Sequence, residues 1–143
     1  MQPYIPYFQT TRYRVGTMIE LADIKPGEKA VDLGSGDGRI VVKLAQAGAI
    51  ATGFELDEKL VKLSENNLKM ANAKATILKK DFWHEDLSKY TIICVYPMPD
   101  IMHMLEGKLF KELRSGSRVL LNYYPFPTWE EITKKDNIYL YRR

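Results

Sequence analysis

The most constraining stretch of this chain is a run of alternating glycines, Gly34, Gly36 and Gly38, directly after a short apolar segment. That segment, residues 29–33, is partly β-branched and has the length of a buried strand. Apolar side chains then recur at helical spacing up to Gly48. The glycines therefore lie at a strand-to-helix turn, where backbone N–H groups at a helix N-terminus can meet a nucleotide-type ligand.

Acidic residues around this turn indicate which ligand it suits. Asp32 ends the predicted strand and Asp37 lies inside the loop, and the Lys-Ser/Thr pair of a P-loop is missing. Two carboxylates would repel a pyrophosphate but suit the ammonium and sulfonium of S-adenosylmethionine (SAM). Glu55 ends a second predicted strand about 20 residues on, where an acid can accept both hydroxyls of a ribose. The alternative is a glycine-rich turn whose acids only cap the helix.

Length and cysteine content restrict the remaining possibilities. A chain of 143 residues predicts a single domain over 1–143. The sequence contains no apolar run of about 18 residues, so we predict no membrane span, and its start does not read as a secretory signal. The single cysteine, Cys94, excludes an internal disulfide and a cysteine metal cluster. Together these features favour the cytoplasm.

Charge gives a weaker indication. The net charge of +3 is too small to point to nucleic acid by itself. His84 and His103 lack metal-ligand spacing with other residues, so we predict surface or core roles for them and no metal site. The sequence leaves the oligomeric state open.

Strands and helices alternate along the chain and end in a hairpin-like segment. Right-handed crossovers place such strands in a parallel sheet with helices on both faces. The partner of the last strand is expected to start near Thr128. The predicted strands span about 29–33, 49–55, 75–78, 91–95, 118–124 and 138–141, and the predicted helices about 10–22, 40–45, 57–71 and 100–113.

Two of these helices carry specific expectations. Asp57 and Asp100 are predicted as N-caps, because a carboxylate there can accept the free N–H groups of the first turn. The side chains expected to face inward on the last helix are Ile101, Met104, Leu105, Leu109 and Leu113.

Further site residues are expected where the third and fourth strands end. Asp81 can accept from an adenine amino group while Phe82 or Trp83 covers the ring; the alternative is two core aromatics and a surface acid. The segment 96–99, Tyr-Pro-Met-Pro, follows the fourth strand at the edge where substrates bind open α/β sheets. The alternative there is an ordinary proline-rich connection.

Residues 1–9 form a Pro- and Tyr-rich arm that is not expected to be helical. Its rings can either pack on the core or form a flap over the ligand. In the second case Tyr4 or Tyr7 would lie near the reacting groups.

These residues resemble the class I SAM-dependent methyltransferases, and within them the small archaeal protein-lysine methyltransferases and their mitochondrial relatives in eukaryotes. The resemblance covers nearly the whole chain. It implies a Rossmann-like α/β fold: a mostly parallel seven-stranded sheet with helices on both faces and an antiparallel last strand. The segments that carry it are 4–7, 31–40, 53–56, 81–83 and 122–129.

The resemblance also implies a function. The cofactor would be SAM, with S-adenosylhomocysteine as product, and the substrate a protein that presents a lysine ε-amine. The implied catalytic residues, Tyr7, Tyr96 and Trp129, fall where a lysine channel would be. The implied cofactor-binding residues are Asp32, Gly34, Ser35, Gly36, Asp37, Gly38, Glu55, Asp81 and Phe82.

Two alternatives stay open. The same fold could methylate RNA or a small molecule, although the loop at 96–99 is not Asn/Asp-Pro-Pro-Tyr and no basic run with interleaved aromatics appears. A module that binds SAM without turnover is the other alternative. Because the sulfonium supplies the reactivity, the lysine interpretation predicts no Ser/His/Asp or Cys nucleophile.

Overall fold

A seven-stranded mixed sheet organises the structure, a computed structural model that describes residues 10–143. The arm at 1–9, including Tyr4 and Tyr7, lies outside the described residues. In chain order the elements are α1 (Arg12–Ala22), β1 (Lys29–Leu33), α2 (Arg39–Gln46), β2 (Ile50–Phe54), α3 (Glu58–Met70), β3 (Thr76–Leu78), β4 (Ile92–Val95), α4 (Met102–Glu112), β5 (Arg118–Asn122), β6 (Thr133–Lys135) and β7 (Ile138–Arg142), with 3₁₀ turns at Phe82–His84 and Pro99–Ile101.

The strand order is β3-β2-β1-β4-β5-β7-β6. The first five strands are parallel, β7 runs antiparallel to β5, and β6 runs antiparallel to β7. The predicted fold class is therefore confirmed. The order changes direction between β1 and β4, and the crevice outside the carboxyl ends of these strands is the usual ligand site of such sheets.

Two hydrophobic clusters cover the two faces of the sheet, because successive strand residues point to opposite sides. On one face, Val31 and Leu33 of β1 pack in a cluster with Leu105 and Leu109 of α4. On the other face, Ala30 clusters with residues of α1, α2 and α3. Asp32 shares the parity of Ala30, so its carboxylate belongs to the face covered by three helices. Within residues 10–143, no helix has both the length and the apolar character to cross a membrane.

The N-terminal cap of α4 differs from the prediction. Asp57 caps α3 as expected, its carboxylate accepting from the N–H of Lys59 at 2.9 Å. Asp100, in contrast, lies inside the 3₁₀ turn, and α4 begins two residues later at Met102. Pro99 starts this tighter turn, which delays the α-helix. Met102 is consequently buried, whereas Met104, expected to face inward, is 49% exposed.

The end of the chain also differs in its boundaries. β5 stops at Asn122 rather than Tyr124, because Tyr123 has a φ of 80° and leaves the extended conformation. β6 begins at Thr133, not near Thr128. The hairpin between β6 and β7 turns at Asp136 and Asn137, which have φ values of 52° and 61°. Positive φ at both positions is typical of the tight turns that match strand twist.

Gly53 on β2 is required by packing rather than by backbone conformation. A Cβ at this position would lie 2.6 Å from Ser35 Oγ and 2.9 Å from Val41 Cγ2. We therefore expect Gly53→Ala to destabilise the protein by about 1–3 kcal/mol through overpacking. Unfolding in urea measures the change.

Gly107 in α4 is the matched control, since a Cβ there would meet nothing within 4 Å. Gly107→Ala should raise stability by about 0.5–1 kcal/mol, because alanine loses less conformational freedom in a helix. Equal effects of the two substitutions would contradict the assignment of tight packing to Gly53.

Candidate cofactor and acceptor site

The glycine loop is fastened to the end of β2 by main-chain hydrogen bonds. The N–H groups of Gly34 and Ser35 both donate to the Phe54 carbonyl at 2.9 Å, and Gly38 N–H donates to Ser35 O at 2.9 Å. Gly34, Gly36 and Gly38 have φ values of 76°, 57° and 83°, a region that residues with a Cβ rarely adopt. The strand-to-helix turn predicted from the sequence is therefore present.

Two side chains of α3 hold this loop from the other side. Ser64 Oγ donates to Gly36 O at 2.6 Å, and Asn67 Nδ2 donates to Asp37 O at 2.8 Å. Ser64 is fully buried. Sequence analysis did not recognise either residue as part of the site. The available signal was a polar residue, Ser64, inside the otherwise apolar stripe of a predicted helix.

Glu55 follows β2 directly and is held in one orientation by the backbone. Its Oε1 accepts from the N–H of Gly36 at 2.8 Å, and its Oε2 accepts from the N–H of Asp57 at 2.9 Å. A carboxylate oxygen has two lone pairs, so each oxygen keeps one acceptor site. This arrangement suits a pair of neighbouring hydroxyl groups, as the sequence predicts for a ribose.

Asp32 is the buried acid of the site, only 3% exposed. Burial raises its pKa well above the ordinary carboxyl value, and the negative charges of Glu55 and Asp37 raise it further. Each of these effects would be relieved by a cation close to Asp32. The acids present therefore fit SAM: Asp32 would face its positively charged methionine end and Glu55 its ribose.

Asp37 has an internal partner that the sequence analysis did not anticipate. Arg39 donates to its carboxylate through Nη2 at 2.6 Å and through Nε at 3.1 Å, and Arg39 Nη1 donates to Thr10 O at 3.0 Å. Much of the Asp37 charge is therefore countered by Arg39, and the electrostatic case for a cationic ligand rests on Asp32 and Glu55. Contact between Asp37 and the cofactor stays a prediction.

Asp81 and Phe82 lie past β3 in structural roles of their own. Asp81 Oδ1 accepts from the N–H of Trp83 at 3.1 Å and so caps the 3₁₀ turn. Phe82 is buried in the core, with its ring centroid 4.7 Å from that of Trp83. β3 pairs in parallel with β2, so this turn lies at the same sheet edge as Glu55. The predicted roles of both residues in adenine binding stay predictions.

Tyr96 lies at the carboxyl edge between the glycine loop and β5. Cys94 pairs in register with Asp32 of β1 and with Leu120 of β5. β4 ends at Val95, in register with Leu33 and Leu121, so Gly34, Tyr96 and Asn122 each come directly after that row at the carboxyl edge of the sheet. The Arg14 guanidinium of α1 lies 5.8 Å from the centre of the Tyr96 ring. Tyr96 thus follows β4 at the carboxyl edge of the sheet, and its role on the substrate side stays a prediction.

Trp129 belongs to an aromatic cluster beside α4. Its ring stacks on Phe126 with centroids 5.4 Å apart and meets Phe110 edge-on at 5.5 Å. The backbone N–H of Trp129 donates to Glu106 Oε2 at 2.7 Å. A cavity of about 610 Å³ adjoins Trp129, and its lining contains no residue of the glycine loop. The structure therefore does not join Trp129 to the loop, and its catalytic role stays a prediction, as does that of Tyr7.

The model of the ANTKMT methyltransferase domain family matches residues 32–133, which include the whole glycine loop, Glu55, Tyr96 and Trp129. This chain belongs to that family. The resemblance to SAM-dependent methyltransferases inferred from the sequence is thereby confirmed.

Two curated relatives define the family further. An adenine nucleotide translocase lysine N-methyltransferase of Mus musculus is 37% identical over 90% of this chain and 57% of its own length. A protein-lysine N-methyltransferase of Saccharolobus islandicus is 29% identical over 97% of this chain and 94% of its own length. The chain thus spans little more than half of the mouse protein and nearly all of the archaeal one.

A solved structure supports the cofactor. The crystal structure of an RNA methyltransferase from Salinibacter ruber in complex with S-adenosyl-L-homocysteine superimposes with a TM-score of 0.87. Its sequence is 31% identical, and the match covers 94% of this chain and 92% of that one. The methyltransferase family match and this neighbour's bound product agree with SAM, the cofactor predicted from the sequence.

Asp32 and Glu106 predict opposite effects on stability. The folded-state pKa of Asp32 is raised, so the native protein binds more protons there and loses stability as the pH rises from the unfolded pKa towards the folded one. Asp32→Asn should therefore raise the Tm of the cofactor-free protein at pH of about 7. The same substitution should weaken binding of S-adenosylhomocysteine about tenfold or more, since a charged hydrogen-bond acceptor is lost.

Glu106 is the matched control. Burial opposes ionisation of Glu106, but hydrogen bonds from Thr128 and Trp129 outweigh it and lower the pKa of its carboxyl. The stability that ionised Glu106 contributes to the fold is present above the pKa of Glu106 in the unfolded chain. It is lost as the pH falls through the lower pKa of the folded protein. Glu106→Gln should cost about 1–3 kcal/mol at neutral pH without changing ligand affinity. Calorimetry measures both quantities, and equal signs for the two variants would refute this reading of Asp32.

Glu55 offers a separate test of ligand placement. Glu55→Ala removes both acceptors proposed for the ribose, and we expect affinity for S-adenosylhomocysteine to fall roughly tenfold to hundredfold. Glu58→Ala is the control, because Glu58 is exposed at the start of α3 and makes only long ion pairs of 3.8 and 3.9 Å. Unchanged affinity in Glu55→Ala would contradict the site.

Proposed function

We propose that this protein is a protein-lysine N-methyltransferase that uses SAM to methylate a lysine ε-amine. The observation that carries the proposal is the family match over residues 32–133, because it spans the glycine loop, Glu55 and Tyr96 and the curated relatives are named for lysine methylation. The acids of the site support the cofactor half of the reaction. Tyr96 and Arg14, at the ends of β4 and α1, support the acceptor half.

The chemistry asks little of the protein beyond alignment. When bound, SAM supplies a sulfonium methyl: the amine lone pair forms the new N–C bond, the S–C electron pair stays on sulfur, and one N–H proton leaves to solvent. The amine must be neutral, although lysine titrates at about 10.4. A cation close to the amine lowers its pKa. Arg14 is suited to this role, since its guanidinium lies over both the Tyr96 and Tyr123 rings.

The names of the relatives do not identify the protein target of this chain. The mouse relative is named for the adenine nucleotide translocase, but this chain covers only 57% of that protein. We propose a protein substrate with an accessible lysine, and the assay below samples soluble and membrane proteins alike. The cytoplasmic location stays a prediction.

RNA methylation is the second candidate, and one observation favours it. The Salinibacter ruber structure carries the name RNA methyltransferase and is similar over 94% of this chain. A nucleobase amine could in principle occupy the same edge of the sheet. The two substrates differ in sensitivity to nuclease and protease, which separates them cleanly.

We would incubate the purified protein with tritiated SAM and a detergent-solubilised cell extract, in parallel aliquots treated with RNase or with protease. The proposal predicts label in protein that survives RNase, and methyl-lysine in acid hydrolysates by mass spectrometry. Asp32→Ala serves as the inactive control.

Other outcomes assign other functions. Label that is lost with RNase and absent from amino acids would refute the lysine proposal in favour of RNA. Binding of S-adenosylhomocysteine by calorimetry without label in either fraction would favour a small-molecule substrate or the non-catalytic module.

A further inference from the structure

We infer that the side-chain oxygen of Asn122, the last residue of β5, accepts a hydrogen bond from the incoming amine and so orients it. This inference rests on the proposed function. Asn122 follows Leu120, which lies in register with Cys94 and thereby with Asp32. It therefore follows the last row in which β5 pairs with β4, as Tyr96 does on β4, and lies two strands from Asp32 of β1 at the carboxyl edge of the sheet. The structure brings an amide to the place where the acceptor half of the reaction must occur.

The carbonyl oxygen of Asn122 has no hydrogen-bond partner among residues 10–143. The residue is fully buried, and its Oδ1 is one of three buried side-chain atoms in the described part of the chain that lack a partner. Leaving a buried acceptor unpaired costs stability. Such an atom in a native protein calls for an explanation, and a bound donor group provides one.

The other half of the same amide is fixed. Asn122 Nδ2 donates to Thr10 Oγ1 at 2.6 Å, and the Thr10 carbonyl is held in turn by Arg39. Because the amide nitrogen is committed to Thr10, the oxygen is the atom left for a ligand. The backbone behind it is also constrained, since the next residue, Tyr123, has a φ of 80° and donates its N–H to Asn137 O at 2.7 Å.

A free carbonyl oxygen favours a hydrogen-bond donor over an anion, and the amine of the proposed reaction is such a donor. A neutral primary amine has two N–H donors and one lone pair. Accepting one N–H fixes the direction of the lone pair, which is the alignment that methyl transfer requires. Asn122 itself neither gains nor loses a proton. The two residues directly after β4, Tyr96 and Pro97, carry no side-chain amide. The amide comes instead from Asn122 at the end of β5, the neighbouring strand.

Charged and titratable groups surround this position on several elements. Arg14 of α1 lies 5.6 Å from the Tyr123 ring centre, and Tyr96 follows β4. Asp32 lies on β1 in register with Cys94, which is two residues before Tyr96. Ile138, which faces Asn122 in the β5–β7 register, carries no charge. Arg39 of α2, which is paired with Asp37 of the glycine loop, reaches this position through its hydrogen bond to Thr10 O.

The test compares Asn122→Ala, Asn122→Asp and Thr10→Val, using the detergent-solubilised extract as methyl acceptor. Asn122→Ala removes both halves of the amide, whereas Thr10→Val removes only the hydroxyl that anchors it. We expect Asn122→Ala to lower the initial rate of methyl-lysine formation about hundredfold, as misalignment of a reacting group does. Affinity for S-adenosylhomocysteine should change less than about threefold in both variants. Thr10→Val should lower the rate less than Asn122→Ala does, because the amide loses its anchor but its oxygen can still accept from the amine.

Asn122→Asp supplies a readout that a structural role would not move. A carboxylate still accepts from the amine but also stabilises its protonated form, so the pH–rate profile should shift alkaline by about one unit. Recovery of rate at high pH in Asn122→Asp, but not in Asn122→Ala, would support the inference.

The contrary outcomes are distinct. Equal losses in Asn122→Ala and Thr10→Val, or an unshifted profile in Asn122→Asp, would overturn the inference and leave Asn122 as an anchor for Thr10. Failure of the wild-type protein to label lysine would overturn the proposed function and this inference together. Circular dichroism identifies a variant that does not fold, in which case the Asn122→Asp profile decides.

Discussion

The site depends on one contact between the end of β2 and the glycine loop. The Phe54 carbonyl accepts from both Gly34 and Ser35, which holds the glycine loop over the end of β2. This approach is possible only because Gly53, one residue before, has no side chain to meet Ser35. Glu55, one residue after, then reaches the Gly36 N–H at 2.8 Å. Three consecutive residues of β2 and its end thus provide the clearance, the acceptor and the acid, and the cofactor site follows from them.

Electrostatics divides the acids of the site into different tasks. Asp32 is buried among like charges, which raises its pKa and makes it costly to keep ionised without a cationic ligand. Asp37 is instead paired with Arg39, and through Arg39 it connects the loop to Thr10. Binding of a positively charged cofactor would therefore offset the cost of burying the ionised Asp32 carboxylate. Asp32 would then favour cofactor binding at some cost to the stability of the cofactor-free protein, a usual relation in functional sites.

A different acid fixes the aromatic cluster beside α4. Glu106 accepts from the N–H groups of Thr128 and Trp129 and from the Thr128 hydroxyl, and so fixes the segment after β5 against α4. Tyr141 completes this packing: its hydroxyl accepts from Phe126 N–H at 2.8 Å, and burial raises the pKa of Tyr141 to about 12. These contacts explain why Thr128 and Trp129 cannot join the β6 ladder, which starts only at Thr133.

The sequence by itself determined the local features: the strand–glycine–helix turn, the acids Asp32 and Glu55, the Asp57 cap and the order of strands and helices. Each depends on residues close in the chain, or on a periodicity that burial imposes. Only the tertiary structure decided which distant groups meet. It joins Arg39 to Thr10, holds the loop with Ser64 and Asn67, and anchors the Asn122 amide on Thr10. Long-range contacts of this kind leave no periodic trace, because a single polar side chain makes each one.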